Sequence, residues 1–170
     1  MDNPDAPDGT WFNGVDGGLI VGGYYDGSDN ARGFIYNTGD SSWTALDDPN
    51  ATDGTDTNGI SSGFVVGEFD DAGGAHGFIY NTSDSSWTTI DDPDATGGTY
   101  GEGINGDLIV GFFTDAGGDH GFIYNTSDSS WQTLDAPDAT GDSYADGTDG
   151  SNIVGSFSNA SGWHGFLATP

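Results

Sequence analysis

The chain has 170 residues, with 28 acidic residues against one arginine (Arg32) and no lysine, for a net charge of -27. With no basic patch to displace phosphate counterions or attract anionic lipid, nucleic acid and anionic membrane surfaces are disfavoured as partners, and none is expected. The lack of an 18-residue apolar run argues against membrane insertion, and the lack of cysteine excludes disulfides, thiolate metal sites and a cysteine nucleophile.

Residues 2–10 resemble the later stretch Asp91 to Thr99, so the chain is read as starting inside a connection. Met1 leads into this acidic loop without the features of a signal peptide. Trp11 to Val15, the pair Asp16-Gly17 and the run Leu19-Ile20-Val21 then predict a β-hairpin, because type I′ turns need positive φ at both central residues. The turn recurs as Asn105-Gly106 and Asp149-Gly150; the second copy, Ser61-Ser62-Gly63, is one residue longer. A second turn follows, from Asp26 to Arg32 in the first copy, and leads into Gly-Phe-Ile-Tyr. A third loop, Asn-Thr-Ser-Asp-Ser-Ser in the middle copies, leads into a strand that begins with tryptophan. Glycines break every candidate helical window, so the class is all-β.

The Gly-Phe pairs at Gly33, Gly77, Gly121 and Gly165 repeat with a step of 44 residues. A fixed period of this size marks a repeat architecture. The repeats divide a single domain, 1–170, into about 1–46, 47–90, 91–134 and 135–170. Three of the strands read apolar on both faces: Ile20 and Val21 are consecutive, as are Ile109 and Val110, and Phe122 and Tyr124 point one way and Ile123 the other. Such sheets must be covered on both sides, which predicts a four-bladed β-propeller of four-stranded repeats. The glycine-rich first strand of each repeat suits the crowded innermost position. The fourth repeat lacks the tryptophan strand, so fifteen strands are expected and the last blade lacks its outer strand. Its open edge invites pairing with another chain, so an oligomer through this edge is one expected partner mode. A piece of a longer array is the alternative to a four-bladed ring.

His76-Gly-Phe-Ile-Tyr80 and His120-Gly-Phe-Ile-Tyr124, with Leu108-Ile-Val-Gly111 and Gly103-Ile-Asn-Gly106, resemble the HAF extracellular repeat of bacteria and archaea. That family is named for a His-Ala-Phe motif; here the middle residue is glycine, and the first repeat has Arg32 in place of histidine. The resemblance covers essentially the whole chain. It implies an extracellular or cell-surface, propeller-like module and transfers no catalytic residues.

Self-repulsion at this charge density needs screening: the Debye length is about 3 Å at 1 M salt and about 30 Å at 0.01 M. A surface almost without cations fits a halophilic source, and a calcium-loaded surface protein is the alternative.

Three registers hold candidate site residues. Trp43, Trp87 and Trp131 would bind ligand by stacking on sugar faces if exposed, but packing against a neighbouring sheet explains their recurrence equally well. His76, His120 and His164 make a zinc site only if they converge; equivalent positions on separate blades favour bonds to adjacent Asp or backbone instead. Asn13, Asn58, Glu102 and Asp146 each precede a glycine on the first strand. If that strand lines an axis, their oxygens ring a channel suited to Ca2+ or Na+; hydrating the channel or capping strand ends is the plainer role. No cofactor is required. Asp-rich loops such as Asp115 to Asp119 lack the spacing of a calcium loop. The Asn50, Asn81, Asn125 and Asn159 triplets permit glycosylation of a secreted form. The sequence gives no sign of a Ser–His–Asp set, and paired carboxylates carry no signal where Asp is everywhere, so no catalytic residue is assigned. The expected function is a non-enzymatic interaction or structural module with an unidentified protein or glycan partner. A glycan-binding lectin and a carbohydrate-active hydrolase are the alternatives.

Overall fold

The computed structural model describes residues 2–7 and 9–170. Met1 and Asp8, which belong to the expected domain 1–170 and its opening connection, lie outside the described residues. These residues form fifteen strands and no helix, and so no helix long and apolar enough to cross a membrane.

The strands fall into four antiparallel meanders. The first is β1 (Thr10–Asp16), β2 (Leu19–Tyr25), β3 (Ala31–Asn37) and β4 (Ser42–Leu46). The second is β5 (Gly54–Ser61), β6 (Phe64–Asp71), β7 (Gly74–Asn81) and β8 (Ser86–Ile90). The third is β9 (Gly98–Asn105), β10 (Leu108–Asp115), β11 (Gly118–Asn125) and β12 (Ser130–Thr133). The fourth has three strands, β13 (Ser143–Thr148), β14 (Ile153–Asn159) and β15 (Gly162–Ala168). Single parallel bridges, Ala31 to Gly54 and Ala75 to Gly98, tie the first three meanders into one sheet, while the fourth forms its own.

The first hairpin turns one residue later than the sequence indicates. Asp16 stays in the ladder opposite Leu19, and the positive φ values fall on Gly17 (55°) and Gly18 (89°). Two glycines adopt this conformation with less strain than an Asp-Gly pair. In the second copy the same conformation falls on Ser62 and Gly63.

Alternation along each strand places apolar side chains on both faces, and the meanders pack in series. Val21, Ile35 and Leu46 of the first pack against Ile60, Val65 and Phe78 of the second. Val66 and Ile90 of the second meet Ile104, Ile109 and Phe122 of the third. Val110 and Ile123 of the third meet Ala145 and Ile153 of the fourth. Phe122 and Tyr124 thus face one neighbour and Ile123 the other, as alternation requires. The connections between meanders are clipped down: the backbone N–H groups of Asp48 and Asp92 donate to Thr55 Oγ1 (3.0 Å) and Thr99 Oγ1 (2.9 Å).

The expected four-bladed ring is not closed. Val15 on the first meander and Val154 and Leu167 on the fourth remain exposed, where closure would bury them. Ring closure depends on the rotation between packed sheets, and the three interfaces leave the two outer faces apart.

Candidate functional site

The innermost strands carry a β-bulge at one shared register. In β1, Phe12 and Gly14 pair with Gly22 and Val21, which skips Asn13. The skipped residue is Asn58 in β5, Glu102 in β9 and Asp146 in β13. A bulge leaves its extra residue out of the ladder and re-aims the side chain. All four sequence-predicted ion-site residues are therefore bulge residues.

Two sets of glycines make this geometry fit. A Cβ on Gly14 would lie 3.0 Å from the Asn58 carbonyl oxygen, and one on Gly59 3.0 Å from that of Glu102. On Gly103 it would lie 3.0 Å from the Gly147 Cα. The inner strands therefore approach backbone to backbone. Opposite the bulges, Gly22, Gly67, Gly111 and Gly155 face carbonyl oxygens of Trp11, Asp56, Tyr100 and Tyr144 that a Cβ would overlap.

Hydrogen bonds link one end of the row. Asn13 Nδ2 donates to the Thr57 carbonyl (3.0 Å) and to Asn58 Oδ1 (3.2 Å). Asn58 Nδ2 donates to Glu68 Oε2 (2.8 Å) and the Gly101 carbonyl (3.1 Å). Glu102 and Asp146 continue the row as mutually repelling acids. Two further acids join it that sequence reasoning did not single out. Asp56 and Glu68 pair directly across β5 and β6, where the third meander has Tyr100 and Phe112. One signal was available: Glu68 and Glu102 are the only glutamates in the chain, and both belong to this cluster.

Burial is the main force on these carboxyls. It holds Glu68 well above the usual range, aided by repulsion from Glu102 and Asp56. Burial, then Asp146 and Asp56, push Glu102 up to about 7. Asp56 is raised by burial and by Asp70, and Asp146 by burial against a hydrogen bond from Ser156. Near neutral pH Glu102 therefore retains part of its proton, which an entering cation would have to displace. Among the described residues, no three His, Asp or Glu side chains are grouped to hold a metal ion.

The tryptophans are half-buried on separate meanders. Trp43, Trp87 and Trp131 pack on Phe34, Phe78 and Phe122 at ring separations of 4.9, 4.9 and 5.0 Å. Each also packs on the tyrosine two residues further on, Tyr36, Tyr80 or Tyr124. They do not form one platform.

The histidine register holds the loops. His76 Nδ1 lies 2.9 Å from Asp91 and Nε2 3.3 Å from Asp71; His120 repeats this with Asp135 and Asp115 at the same distances. Arg32 takes the same place between Asp26 (3.0 Å) and Asp47 (3.2 Å). Partial burial opposes charge on His76, but Asp91 and Asp71 outweigh it and its pKa is raised. His120 is raised first by its bond to Asp135, against burial. His164 instead contacts Ser161 (2.8 Å) and Asn159 (3.2 Å).

No protein-family model matches this chain, and no curated protein sequence matches it. Among solved structures it is similar to TolB from Acinetobacter baumannii, with a TM-score of 0.70 and 10% identity over 92% of this chain and 39% of TolB. It also matches the β-propeller domain of the Trilobed protease from Pyrococcus furiosus, with a TM-score of 0.49 and 10% identity over 94% of this chain and 68% of that one. The chain thus spans about two-fifths of the length of TolB. The likeness is one of fold alone, that of β-propeller proteins.

Proposed function

We propose that the chain is a rigid, non-enzymatic interaction or structural module of a halophile's extracellular or cell-surface protein. In this reading its four meanders are propeller blades of an HAF-type repeat, the last without its outer strand. One observation carries the reading: the histidine, tryptophan and bulge-asparagine registers are engaged in holding the fold. The His–Asp clips pin loops, the tryptophans fill sheet faces, and the bulge amides join inner strands. The module needs no cofactor, and Ca2+ or Na+ at the inner row would be a guest competing with protons.

A screen in molar salt tests this against a glycan array and a polysaccharide panel, with no retention and no turnover expected. Glycan binding abolished by Trp87→Ala would replace the module with a lectin. A hydrolase is favoured by one observation, the raised carboxyls of Asp56, Glu68 and Glu102, since a protonated carboxyl is what a general acid needs. Turnover abolished by Glu68→Gln in a folded protein would establish that reading.

A further inference from the structure

The three internal interfaces share one trailing pair, the first two also share an apolar leading pair, and the two outer meanders display these two halves uncovered. On the trailing side of each meander, a cross-strand pair meets the next: Val21 with Ile35, Val66 with Ile79, and Val110 with Ile123. The three valines are 0% exposed. The fourth copy of this pair is Val154 with Leu167, and these are 52% and 70% exposed. Four residues before Leu167 on the same strand, Trp163 is 60% exposed, on the register that Ala31 and Ala75 use to bridge to the following meander.

On the leading side, Ile60 with Val65 and Ile104 with Ile109 receive the preceding meander, and all four are buried. The first copy of that pair is Val15 with Ile20, where Val15 is 71% exposed. Phe12 extends this bare face, lying edge-on to Phe34 at 5.7 Å and beside Trp43. Inside the chain the leading pairs Ile60–Val65 and Ile104–Ile109 each receive a trailing valine–isoleucine pair, and Val154–Leu167 is its branched-aliphatic counterpart. The one chain carries both, and in its structure they do not meet.

We propose that a second copy of this chain docks head to tail, the Val154–Leu167 face of one copy seating on the Phe12–Val15–Ile20 face of the next. The contact continues the internal interface in the same register. It is heterologous, so successive copies build a ring where the rotation closes and a filament where it does not. It differs from edge pairing along β15, because sheet faces meet and no ladder is extended. Two chains of charge -27 repel, so the contact requires salt.

Light scattering coupled to size exclusion in molar KCl tests this over a range of protein concentrations. The wild-type chain is expected to run at twice the monomer mass or more. Val15→Asp and Leu167→Asp each change an exposed side chain, so the circular dichroism spectrum should match wild type, and melting should match it only at concentrations where wild type is dissociated; each alone is expected to be a monomer. Mixed, the two retain one intact leading face and one intact trailing face, and a one-to-one dimer forms. A wild-type monomer at all concentrations overturns the proposal. So does either single variant that still self-associates, which is the outcome for edge pairing or for like faces meeting, and so does a mixture that stays monomeric.

Discussion

Glu102→Gln gives the most direct test of the protonated inner row. Burial, Asp146 and Asp56 lift the folded-state pKa of Glu102 from 4.5 to about 7. The folded chain therefore keeps a proton that the unfolded chain releases across that window. Its contribution is fully present below pH 4.5 and is lost as pH rises through about 7. At about 1.4 kcal/mol per pKa unit, the loss by pH 8 is about 3 kcal/mol, an upper value because molar salt screens the part due to Asp146 and Asp56. Glutamine is neutral throughout and removes this dependence. It also removes one charge that repels Glu68, whose raised pKa contributes with the same sign. His76 and His120 likewise lose stabilisation as pH rises, but neither is clipped by Glu102, so their effect cancels between variant and wild type. Urea unfolding in molar KCl should show Glu102→Gln close to wild type near pH 5 and more stable near pH 8, by up to about 3 kcal/mol. A wild type equally stable at both values, or a variant offset independent of pH, would refute a retained proton on Glu102.

Gly67→Ala should cost about 3 kcal/mol in urea unfolding, because its Cβ would overlap the Asp56 carbonyl and the inner strand cannot yield without breaking the bulge. Gly165→Ala, with only the Gly155 carbonyl at 3.8 Å, is the control and should be nearly neutral. Asp48→Asn should raise the melting temperature at neutral pH, by about 1 kcal/mol of stability, because buried Asp48 has an oxygen, Oδ2, without a partner. Asn3 already holds the equivalent link, its Oδ1 accepting from the Asp5 N–H at 2.9 Å. Asp56→Tyr combined with Glu68→Phe copies the third meander, where Tyr100 and Phe112 stack at 4.4 Å. This pair should be more stable than wild type near pH 8, by about 1 kcal/mol or more, with the gain shrinking near pH 5. Diluting salt below roughly a few hundred millimolar should unfold the chain, as followed by circular dichroism; a fold retained in low-salt buffer with chelator would contradict the halophile reading.

The strands were legible because the residues that build them repeat and alternate. Gly33-Phe-Ile-Tyr36 and its copies state both period and facing, and the structure puts Phe122 and Ile123 on opposite faces. The inner register was legible from the glycine that follows Asn13, Asn58, Glu102 and Asp146. The bulges were not, because a bulge is a count of two residues against one and exists only relative to a partner strand. Its sequence trace is a second glycine on that partner, such as Gly67 opposite Thr57, with no spacing rule to connect the two. The Asp56–Glu68 pair was hidden for the same reason. The open ring was hidden because repeat number fixes how many sheets exist, while side-chain volumes such as those of Ile60 and Val65 fix the angle between them.

The acids of the inner row follow from the packing. An inner strand packed against a neighbouring sheet has little room for a long polar side chain within the ladder. The bulge provides the exit, ejecting one residue per strand while glycines let the backbones close behind it. Asparagine in the first two meanders uses that exit to join adjacent strands by hydrogen bonds. Glutamate and aspartate in the next two occupy it at the expense of their charge. The second meander alone adds two acids beyond this requirement, Asp56 and Glu68, where its neighbour places two stacked rings. The bulge accounts for the position of the other four members of the row, whereas Asp56 and Glu68 sit in the regular ladder and have no such origin.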